Sequence, residues 1–384
     1  MRVGGARGGC ARALLPLAAH LAAYLLWVEA PGSSSVGARW GDPPGGGPSS
    51  HPMDVRGALA FPPTGARAPR VALGAPVLGG LGADALAGSP GALVVAGIVR
   101  DEGPYLAEWV AFHACVAGAR HVLLVDHGSG EERSARVALR EEAARGLVTV
   151  FEVDGGVRNP QVGAYNALLE VARRAGAAWV AFLDADEFLY APGQGGRGAV
   201  AARLATAFAT APAVAVHWHV YGTSGLASLG GEQVVGTLLR RARGADAGFK
   251  SIVRPEAVGA MHVHGPSRMT RPGWLPVDER FLPVQRTDPD GARGPGRRLG
   301  PPPGDALRVN HYRLKSREDV RRRWARGGVN LDGHDALSPR GDAERAAFVA
   351  RWDANDVHDD GAWNAFSALC NPAAASGTTR ERVE

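Results

Sequence analysis

The strongest constraint on the fold is a regular alternation of strand-like and helix-like segments between residues 92 and 183. Short apolar runs rich in β-branched residues occur at ALVVAGIV (92–99), HVLLV (121–125), LVTVFEV (147–153) and AWVAFL (178–183). The segments between them, EGPYLAEWVAFHACVAG, SARVALREEAARG and PQVGAYNALLEVARRAG, are typical of helices. Strands that alternate with helices predict an α/β fold with a mostly parallel sheet and helices on its faces.

The pattern is less regular after residue 196. A helix is predicted over 199–211, and short strands are predicted at AVAVHWHVYG (213–222), VVGTLLRR (234–241), KSIVR (250–254) and AMHVHG (260–265). Residues 285–306 are predicted to be a loop or a disordered insert. In RVNHYRLKSREDVRRRWARGG, a short strand precedes a basic helix that begins after Ser316 as its N-cap.

The first 30 residues predict a signal anchor or a signal peptide. Arginines at positions 2, 7 and 12 precede an apolar run from Leu14 to Val28. The run is short for a membrane span, which needs about 20 residues. Arginines ahead of the run predict a cytoplasmic N-terminus and a lumenal chain. We therefore expect a single-pass type II membrane protein of the secretory pathway, in the Golgi, with a secreted protein as the alternative.

Composition divides the remaining chain into three parts. Residues 31–90 are rich in Gly, Pro and Ser, which predicts a stem or linker. A globular domain is predicted over 91–370, and 371–384 are predicted to be a disordered tail. The 43 Lys and Arg residues exceed the 38 Asp and Glu residues by only five and are scattered along the chain, so nucleic-acid binding is not expected.

Three cysteines, Cys10, Cys115 and Cys370, are too few for a disulfide framework. A bridge between Cys115 and Cys370 and a buried free thiol at Cys115 are both compatible with the sequence, and the free thiol is favoured.

Three acidic residues follow the last apolar run of the alternating region. In AWVAFLDADEFLY (178–190), Asp184 and Asp186 are separated by one residue, and Glu187 comes next. Carboxylates at the end of a buried strand repel one another and lose hydration, and a divalent cation relieves both costs. Oxygen ligands without thiolates favour Mn²⁺ or Mg²⁺ over Zn²⁺. The alternative is that the acids cap the following turn and pair with arginines.

Other polar residues are placed to assist such a site. Ligands of α/β sheets bind beyond the carboxyl ends of the strands, where Arg100, Glu102 and Asp126 are predicted to lie. Lys250 begins a strand and is a candidate partner of a diphosphate. Two pairs of histidines, His217 with His219 and His262 with His264, would each share one face of a strand. His262 or His264 is the favoured candidate ligand, and His311 is a third imidazole in the same part of the chain.

An ordered series of motifs resembles glycosyltransferase family 92, a former family of unknown function related to family 2. The series is VRDEGPYLAEWVAFHACVAGARHVLLVDHGSG, RNPQVGAYN, AWVAFLDADEFLY, FKSIVRPE, MHVHG and HYRLKSREDVRRRWARGG, and it covers about residues 93–330. The chain departs from the family pattern at Asp101, where the family has Asn. It also has Arg323 or Arg326 where the family has Lys late in the last helix.

The resemblance implies a GT-A fold, a Rossmann-like, mixed and mostly parallel sheet flanked by helices. It further implies transfer of a sugar, galactose in known members, from a nucleotide donor to a glycan hydroxyl with inversion. We expect the donor to be a UDP-sugar and the cofactor to be Mn²⁺ or Mg²⁺.

The resemblance also implies roles for individual residues. Asp184 and Asp186 would form the DxD pair, with one carboxylate near the donor ribose and the other on the metal. Asp126 would lie by the base, and the residues lining the nucleotide pocket would be Arg100, Glu102 and Gln161. Lys250, with His262 or His264, would close over the phosphates.

An inverting transfer also needs a carboxylate that removes the proton of the acceptor hydroxyl. The candidates for this general base are Glu187, Asp278 and Glu279, and Glu187 has a structural role as its alternative.

Three rival functions compete with that of a glycosyltransferase. A nucleotidyltransferase or phosphotransferase would need a Gly-rich phosphate loop after the first strand, and VRDEGP lacks one. A haloacid-type phosphatase would need Thr or Val after the DxD pair, where Glu187 and Phe188 stand. The remaining rival is a catalytically silent protein of the same fold that binds a carbohydrate or a nucleotide sugar.

Overall fold

The computed structural model describes residues 71–89, 91–284, 306–326 and 341–370, all within the compact unit Val55–Glu384. The predicted N-terminal anchor, the first part of the predicted stem, nearly all of the 285–306 insert and the predicted tail lie outside these residues. Within the described ranges, no helix has the length and hydrophobicity that crossing a membrane requires.

The described residues contain helices and strands in a largely alternating order. The strands are β1 Leu93–Val99, β2 Ala119–His127, β3 Val148–Val153, β4 Trp179–Phe182, β5 Glu187–Tyr190, β6 Ala213–Val220, β7 Arg240–Arg241, β8 Phe249–Val253, β9 Val258–Met261, β10 Pro266–Met269, β11 Arg308–His311 and β12 Val357–His358. The α-helices are α1 Gly103–Phe112, α2 Ala135–Ala138, α3 Arg140–Ala144, α4 Pro160–Arg174, α5 Ala199–Thr206, α6 Val234–Thr237, α7 Arg317–Arg326, α8 Asp342–Trp352 and α9 Gly361–Cys370. A π-helix, His113–Ala117, continues α1.

One large sheet organises the fold, with the strand order β3-β2-β1-β4-β8-β6-β11-β5. Strands β1 to β4 pair in parallel, as do β6 and β11. Strand β8 lies antiparallel between β4 and β6, and β5 lies antiparallel to β11 at the edge. Six of the eight strands therefore run in one direction, which confirms the predicted mixed, mostly parallel α/β sheet.

Alternate residues of β1 explain why helices cover both faces of the sheet. Leu93 and Val95 pack on the side of α1, whereas Val94 and Ala96 pack on the side of α4. Successive side chains of a strand point to opposite faces, so a continuous apolar run needs a helix on each side. The near-continuous apolar strands predicted this two-sided burial correctly.

Several predicted boundaries differ from the structure. The predicted helix SARVALREEAARG breaks at Leu139, whose φ and ψ are −114° and 24°. The segment VVGTLLRR forms the short helix α6 and the two-residue strand β7 instead of one continuous strand, and AMHVHG leaves β9 at Met261 and continues as a turn. Helices α8 and α9 were not predicted.

The last part of the predicted stem packs against the sheet. Val77 N–H donates to Val150 O at 2.8 Å, Leu78 forms a bridge to Val150, and Leu86 is buried in the core. Ordered packing therefore begins before residue 91.

Candidate active site

Asp184 lies where β4 ends, beside the amino end of the antiparallel strand β8. Gln161 and Tyr165 of α4 both donate to its Oδ1 at 3.0 Å. Lys250 Nζ of β8 lies 2.9 Å from its Oδ2, and the side chain remains 36% exposed. These three donors fix the orientation of the carboxylate while part of it faces solvent.

Asp186 is more deeply buried and contacts two basic side chains from the last third of the sequence. Arg323 of α7 donates to its Oδ2 at 2.9 Å, and His311 Nε2 of β11 lies 3.6 Å from its Oδ1. Burial alone would raise the pKa of Asp186, but His311, Arg323 and Lys315 together hold it well below its usual range. The carboxylate is therefore ionised at neutral pH.

Glu187 is 0% exposed and supports the turn between the two aspartates. Its Oε2 accepts from Asp184 N–H at 2.8 Å and lies 3.4 Å from Lys250 Nζ. Burial raises the pKa of the Glu187 carboxyl well above its ordinary value, and Lys250 opposes this effect. The complete burial of Glu187 favours the structural alternative over the role of general base.

Lys250, which the sequence suggested as a partner of a diphosphate, is a buried cation that links these acids. It is 1% exposed, and burial would lower its pKa, but Asp184 and Glu187 raise it well above the ordinary value. Because both partners are carboxylates of the chain, Lys250 neutralises the acidic cluster.

The prediction that His262 and His264 share one face of a strand is wrong. His262 N–H donates to Gly265 O at 2.8 Å, so the two histidines lie in a turn. His264 packs edge to face against Trp218 at 5.4 Å, and burial is the main cause that lowers its pKa to about 3. An imidazole that contacts Asp186 is that of His311, whose ring lies 4.7 Å from Trp218. The other pair, His217 and His219, is buried in β6.

Arg100, Glu102 and Asp126 lie at the ends of β1 and β2, as predicted, but with different surroundings. Asp126 is 2% exposed, and its two carboxylate oxygens accept from the backbone N–H groups of Ser129 and Ala135. It therefore holds the loop after β2. The Nε and Nη1 atoms of Arg100 are buried without a hydrogen-bond partner, which leaves this guanidinium available to an anion.

Ion pairs of Glu102, which lies shortly after β1, hold helix α7 at the end of that strand. Lys315 Nζ lies 2.6 Å from Glu102 Oε2, and Arg326 Nη2 lies 2.9 Å from its Oε1. The helix begins as predicted, because Ser316 Oγ accepts from Asp319 N–H at 3.3 Å. Arg323 lies on the same helix, so the contacts of Glu102 also hold Arg323 at Asp186.

The Glu102 contacts predict a loss of stability in acid. Burial would raise the pKa of Glu102, but Lys315, Arg326 and Arg323 lower it from 4.5 to about 2. A depressed pKa stabilises the folded state above pH 4.5, and this contribution of about 3 kcal/mol is lost as the pH falls towards 2. The free energy of unfolding, measured with urea at about pH 6 and about pH 3, should depend less on pH for Glu102→Gln than for the unaltered chain.

Glu141→Gln, which breaks an exposed pair with Arg145, is the control and should retain the full pH dependence. Equal pH dependence of Glu102→Gln and the unaltered chain would contradict the assignment.

The other two candidate general bases are buried, and each already accepts hydrogen bonds from the chain. Asp278 Oδ1 accepts from the backbone N–H groups of Arg280 and Leu282. Glu279 accepts from His217 N–H at 2.8 Å and lies 3.3 Å from its ring. Both acids are at most 3% exposed, so in this structure neither reaches an acceptor at the surface.

Reasoning from the sequence did not place Tyr165 in the site, whereas Arg313 was among the basic residues that it suggested as partners of a diphosphate. Tyr165 belongs to the AYN segment of the family pattern, so the motif itself carried a signal. Arg313 is two residues after His311, and its guanidinium lies 4.4 Å from the Trp352 ring. Burial is the main cause that lowers the pKa of Arg313, and Arg323 adds to it. The contact with Trp352 could not be predicted, because helix α8 itself was not predicted.

Asp186 and His311 fit a divalent cation better than the predicted histidines do. One carboxylate oxygen and one imidazole nitrogen approach each other to 3.6 Å, and His311 Nδ1 has no hydrogen-bond partner. Burial lowers the pKa of His311 to about 3, so the ring is neutral and able to bind a metal. No group of three or more His, Cys, Asp or Glu side chains within the described ranges converges on a metal position. A cation at this position would therefore also need ligands from a substrate or water.

A separate cavity of about 530 Å³ lies among other residues of the described chain. Its polar lining includes Tyr190, Arg241, Arg308 and Asp359, and it shares no residue with the acidic cluster. Asp359 pairs with both arginines at 2.5 and 3.0 Å, so the charges that line this cavity are already paired.

The solved structures that are similar to this chain include three glycosyltransferases. The first is S. aureus TarS 1–349 in complex with UDP, with 13% identity over 43% of this chain and 47% of that chain and a TM-score of 0.29. The second is the mannosyltransferase PcManGT from Pyrobaculum calidifontis in complex with GDP-Man and Mn²⁺, with 16% identity over 74% and 76% and a TM-score of 0.30. The third is the galactosyltransferase LgtC in complex with donor and acceptor sugar analogs, with 15% identity over 67% and 96% and a TM-score of 0.26.

These likenesses are too remote to assign a substrate. The chain spans about half the length of the TarS structure, and no TM-score reaches 0.5. No curated protein matches the chain.

The sequence model of glycosyltransferase family 92 matches residues 95–287, which is half of the chain. The matched range begins within β1, runs through β10, and contains both aspartates and Lys250. It includes the motifs on which the resemblance was based except HYRLKSREDVRRRWARGG, which lies at 311–328. The chain therefore belongs to glycosyltransferase family 92, a family of sugar-transferring enzymes.

Proposed function

We propose that this glycosyltransferase moves a sugar, galactose or a similar hexose, from a UDP-sugar to a glycan hydroxyl with inversion. The observation that supports the proposal best is the Asp184 carboxylate, which is oriented by Gln161, Tyr165 and Lys250 and is still one-third exposed. It lies at the carboxyl end of a parallel strand, where ligands of such sheets bind. The proposed acceptor is a glycan, and the N-terminal segment is proposed to anchor the chain in the Golgi membrane.

Two arginines would supply the positive charges that a departing nucleoside diphosphate requires. Arg100 has two buried nitrogens without partners, and Arg323 reaches the cluster from α7. Cations at these positions stabilise negative charge as the bond between the sugar and the phosphate breaks. Lys250 and Glu187 act as positioning residues, because both are buried and both contact Asp184.

Asp186 and His311 are the residues that would hold Mn²⁺ or Mg²⁺. When bound, the cation would neutralise charge on the diphosphate of the donor. The chain itself keeps Asp186 ionised and His311 neutral, and these are the protonation states that bind a metal.

Arg323 is expected to compete with the metal for Asp186. Its guanidinium lies 2.9 Å from Asp186 Oδ2, so a cation at this carboxylate must displace or share it. We expect Arg323→Gln to tighten Mn²⁺ binding by about tenfold, which corresponds to about 1.4 kcal/mol. Electron paramagnetic resonance of free Mn²⁺ in a titration measures this affinity directly. Arg322→Gln, on the neighbouring exposed position of α7, is the control and should leave the affinity unchanged. Weaker Mn²⁺ binding by Arg323→Gln would contradict the competition.

A thermal-shift panel of sugar nucleotides tests the function. The full-length chain is heated with UDP-, GDP- and CMP-sugars, with and without Mn²⁺. A UDP-sugar with Mn²⁺ should raise Tm, since a ligand at about 100 times its Kd adds about 2.7 kcal/mol of stability. Asp186→Asn should remove the metal-dependent part of the shift. The same UDP-sugar, radiolabelled, should then yield a glycan product.

The outcomes separate the proposed enzyme from its rival. A shift without transfer or hydrolysis of the labelled sugar would favour a silent binding protein of the same fold. If no nucleotide sugar shifts Tm, the proposed donor class is wrong.

A further inference from the structure

Two thiols meet where the last described helix packs on the end of α1. Cys115 lies in the π-helix after α1, and Cys370 is the last residue of α9. Cys370 Sγ lies 3.8 Å from Ala111 O, and Ala111 precedes Cys115 by about one helical turn. Phe112 stacks on Phe366 at 5.7 Å, which fixes α9 against the same helix. The two sulfurs are therefore neighbours although the cysteines are far apart in the sequence.

The surroundings make Cys115 the more reactive of the two thiols. A hydrogen bond from the Cys370 thiol and the nearby Arg197 lower the pKa of Cys115 to about 7, against the effect of burial. Arg197 Nη1 lies 3.8 Å from Cys115 Sγ. The same hydrogen bond and burial raise the pKa of Cys370. Both residues are half-buried, so a small oxidant can reach the pair.

We propose that Cys115 and Cys370 form a disulfide bond that ties α9 to the π-helix. The described contacts already bring the two helices together. The proposal is independent of the proposed substrate and metal.

The chemistry needs an oxidant of the disulfide class, such as oxidised glutathione. The Cys115 thiolate attacks one sulfur of oxidised glutathione, forms a mixed disulfide and releases one glutathione thiolate. Cys370 then loses its proton and attacks the Cys115 sulfur, and the second glutathione thiolate leaves. Two protein thiols are oxidised to one disulfide, and one molecule of oxidised glutathione is reduced to two of glutathione.

The bond would close a loop of roughly 250 residues, and a long loop restricts the unfolded chain strongly. It would also secure the segment that begins at Asp359, whose carboxylate pairs with Arg241 and Arg308. We therefore expect the oxidised chain to have a higher Tm than the reduced chain, by roughly 5–10 °C.

Mass spectrometry after equilibration in oxidised glutathione tests the bond. The full-length chain is alkylated without reduction and then digested with trypsin. The expected product joins residues 101–120, DEGPYLAEWVAFHACVAGAR, to residues 352–380, which contain Cys370. Reduction should separate the two peptides and lower Tm to the value of the reduced chain.

Three variants keep the test specific. Cys115→Ser and Cys370→Ser should each lose the linked peptide and the rise in Tm, while their Tm under reducing conditions stays near that of the unaltered chain. Cys10→Ser is the matched control and should retain both effects, because its thiol takes no part. If Cys115 and Cys370 are both recovered alkylated after oxidation, or if either is linked to Cys10, the proposal is overturned.

Discussion

Asp184→Asn is expected to reduce sugar transfer by at least about 100-fold, the effect typical of losing one preorganised electrostatic contact. The substitution keeps the shape of the side chain but removes the charge that Gln161, Tyr165 and Lys250 orient. Because the side chain is one-third exposed, the variant should still fold. A radiolabelled sugar-nucleotide assay measures the loss, and Tm measured in parallel verifies folding.

The matched control is Asp342→Asn in α8. Asp342 is a fully exposed aspartate whose carboxylate pairs with Arg345. Its substitution should leave transfer within about twofold, because exposed ion pairs contribute little. Asp184→Asn with near-normal transfer and a normal Tm would rule out a role for this carboxylate in the reaction.

Lys250→Met is expected to destabilise the folded chain by about 3–5 kcal/mol, as is typical when one partner of a buried ion pair is removed. Methionine fills a similar volume but leaves Glu187, which is 0% exposed, without its cation. Urea unfolding measures the difference. The cost should shrink at lower pH, because burial raises the pKa of Glu187 and a protonated carboxyl no longer needs the cation.

Arg322→Gln provides the comparison for Lys250→Met. It breaks pairs with Glu318 and Asp319 at a position where the arginine is half exposed. We expect a cost below about 1 kcal/mol. Similar costs for the two variants would show that Lys250 is not a buried counter-ion.

The alternating half of the fold could be predicted because its signals are local. The apolar runs of β1 to β4 and the helical spacing of α1 and α4 are short-range patterns, and each element forms where it was predicted. The position of Asp184 follows from the same pattern, since it comes directly after a buried strand.

Predictions failed where a local pattern was too short to decide and where position depends on residues distant in the sequence. His262 and His264 alternate like strand residues, but a hydrogen bond from His262 N–H to Gly265 O closes a turn instead. Alternation over only three residues does not distinguish a strand from a turn, because a tight turn also fits so short a segment. His311 reaches Asp186 only because β11 inserts between β6 and β5, and strand order is not encoded in local spacing.

By itself the sequence determined the α/β class, the acidic turn after β4 and membership of the family, because apolar periodicity and ordered motifs are properties of neighbouring residues. The tertiary structure alone decided which cation meets each acid. Lys250 reaches Asp184 and Glu187 across antiparallel strands, and Arg323 reaches Asp186 from a helix 137 residues further along the chain. Such pairings depend on strand order and helix docking, which the burial of the whole core determines.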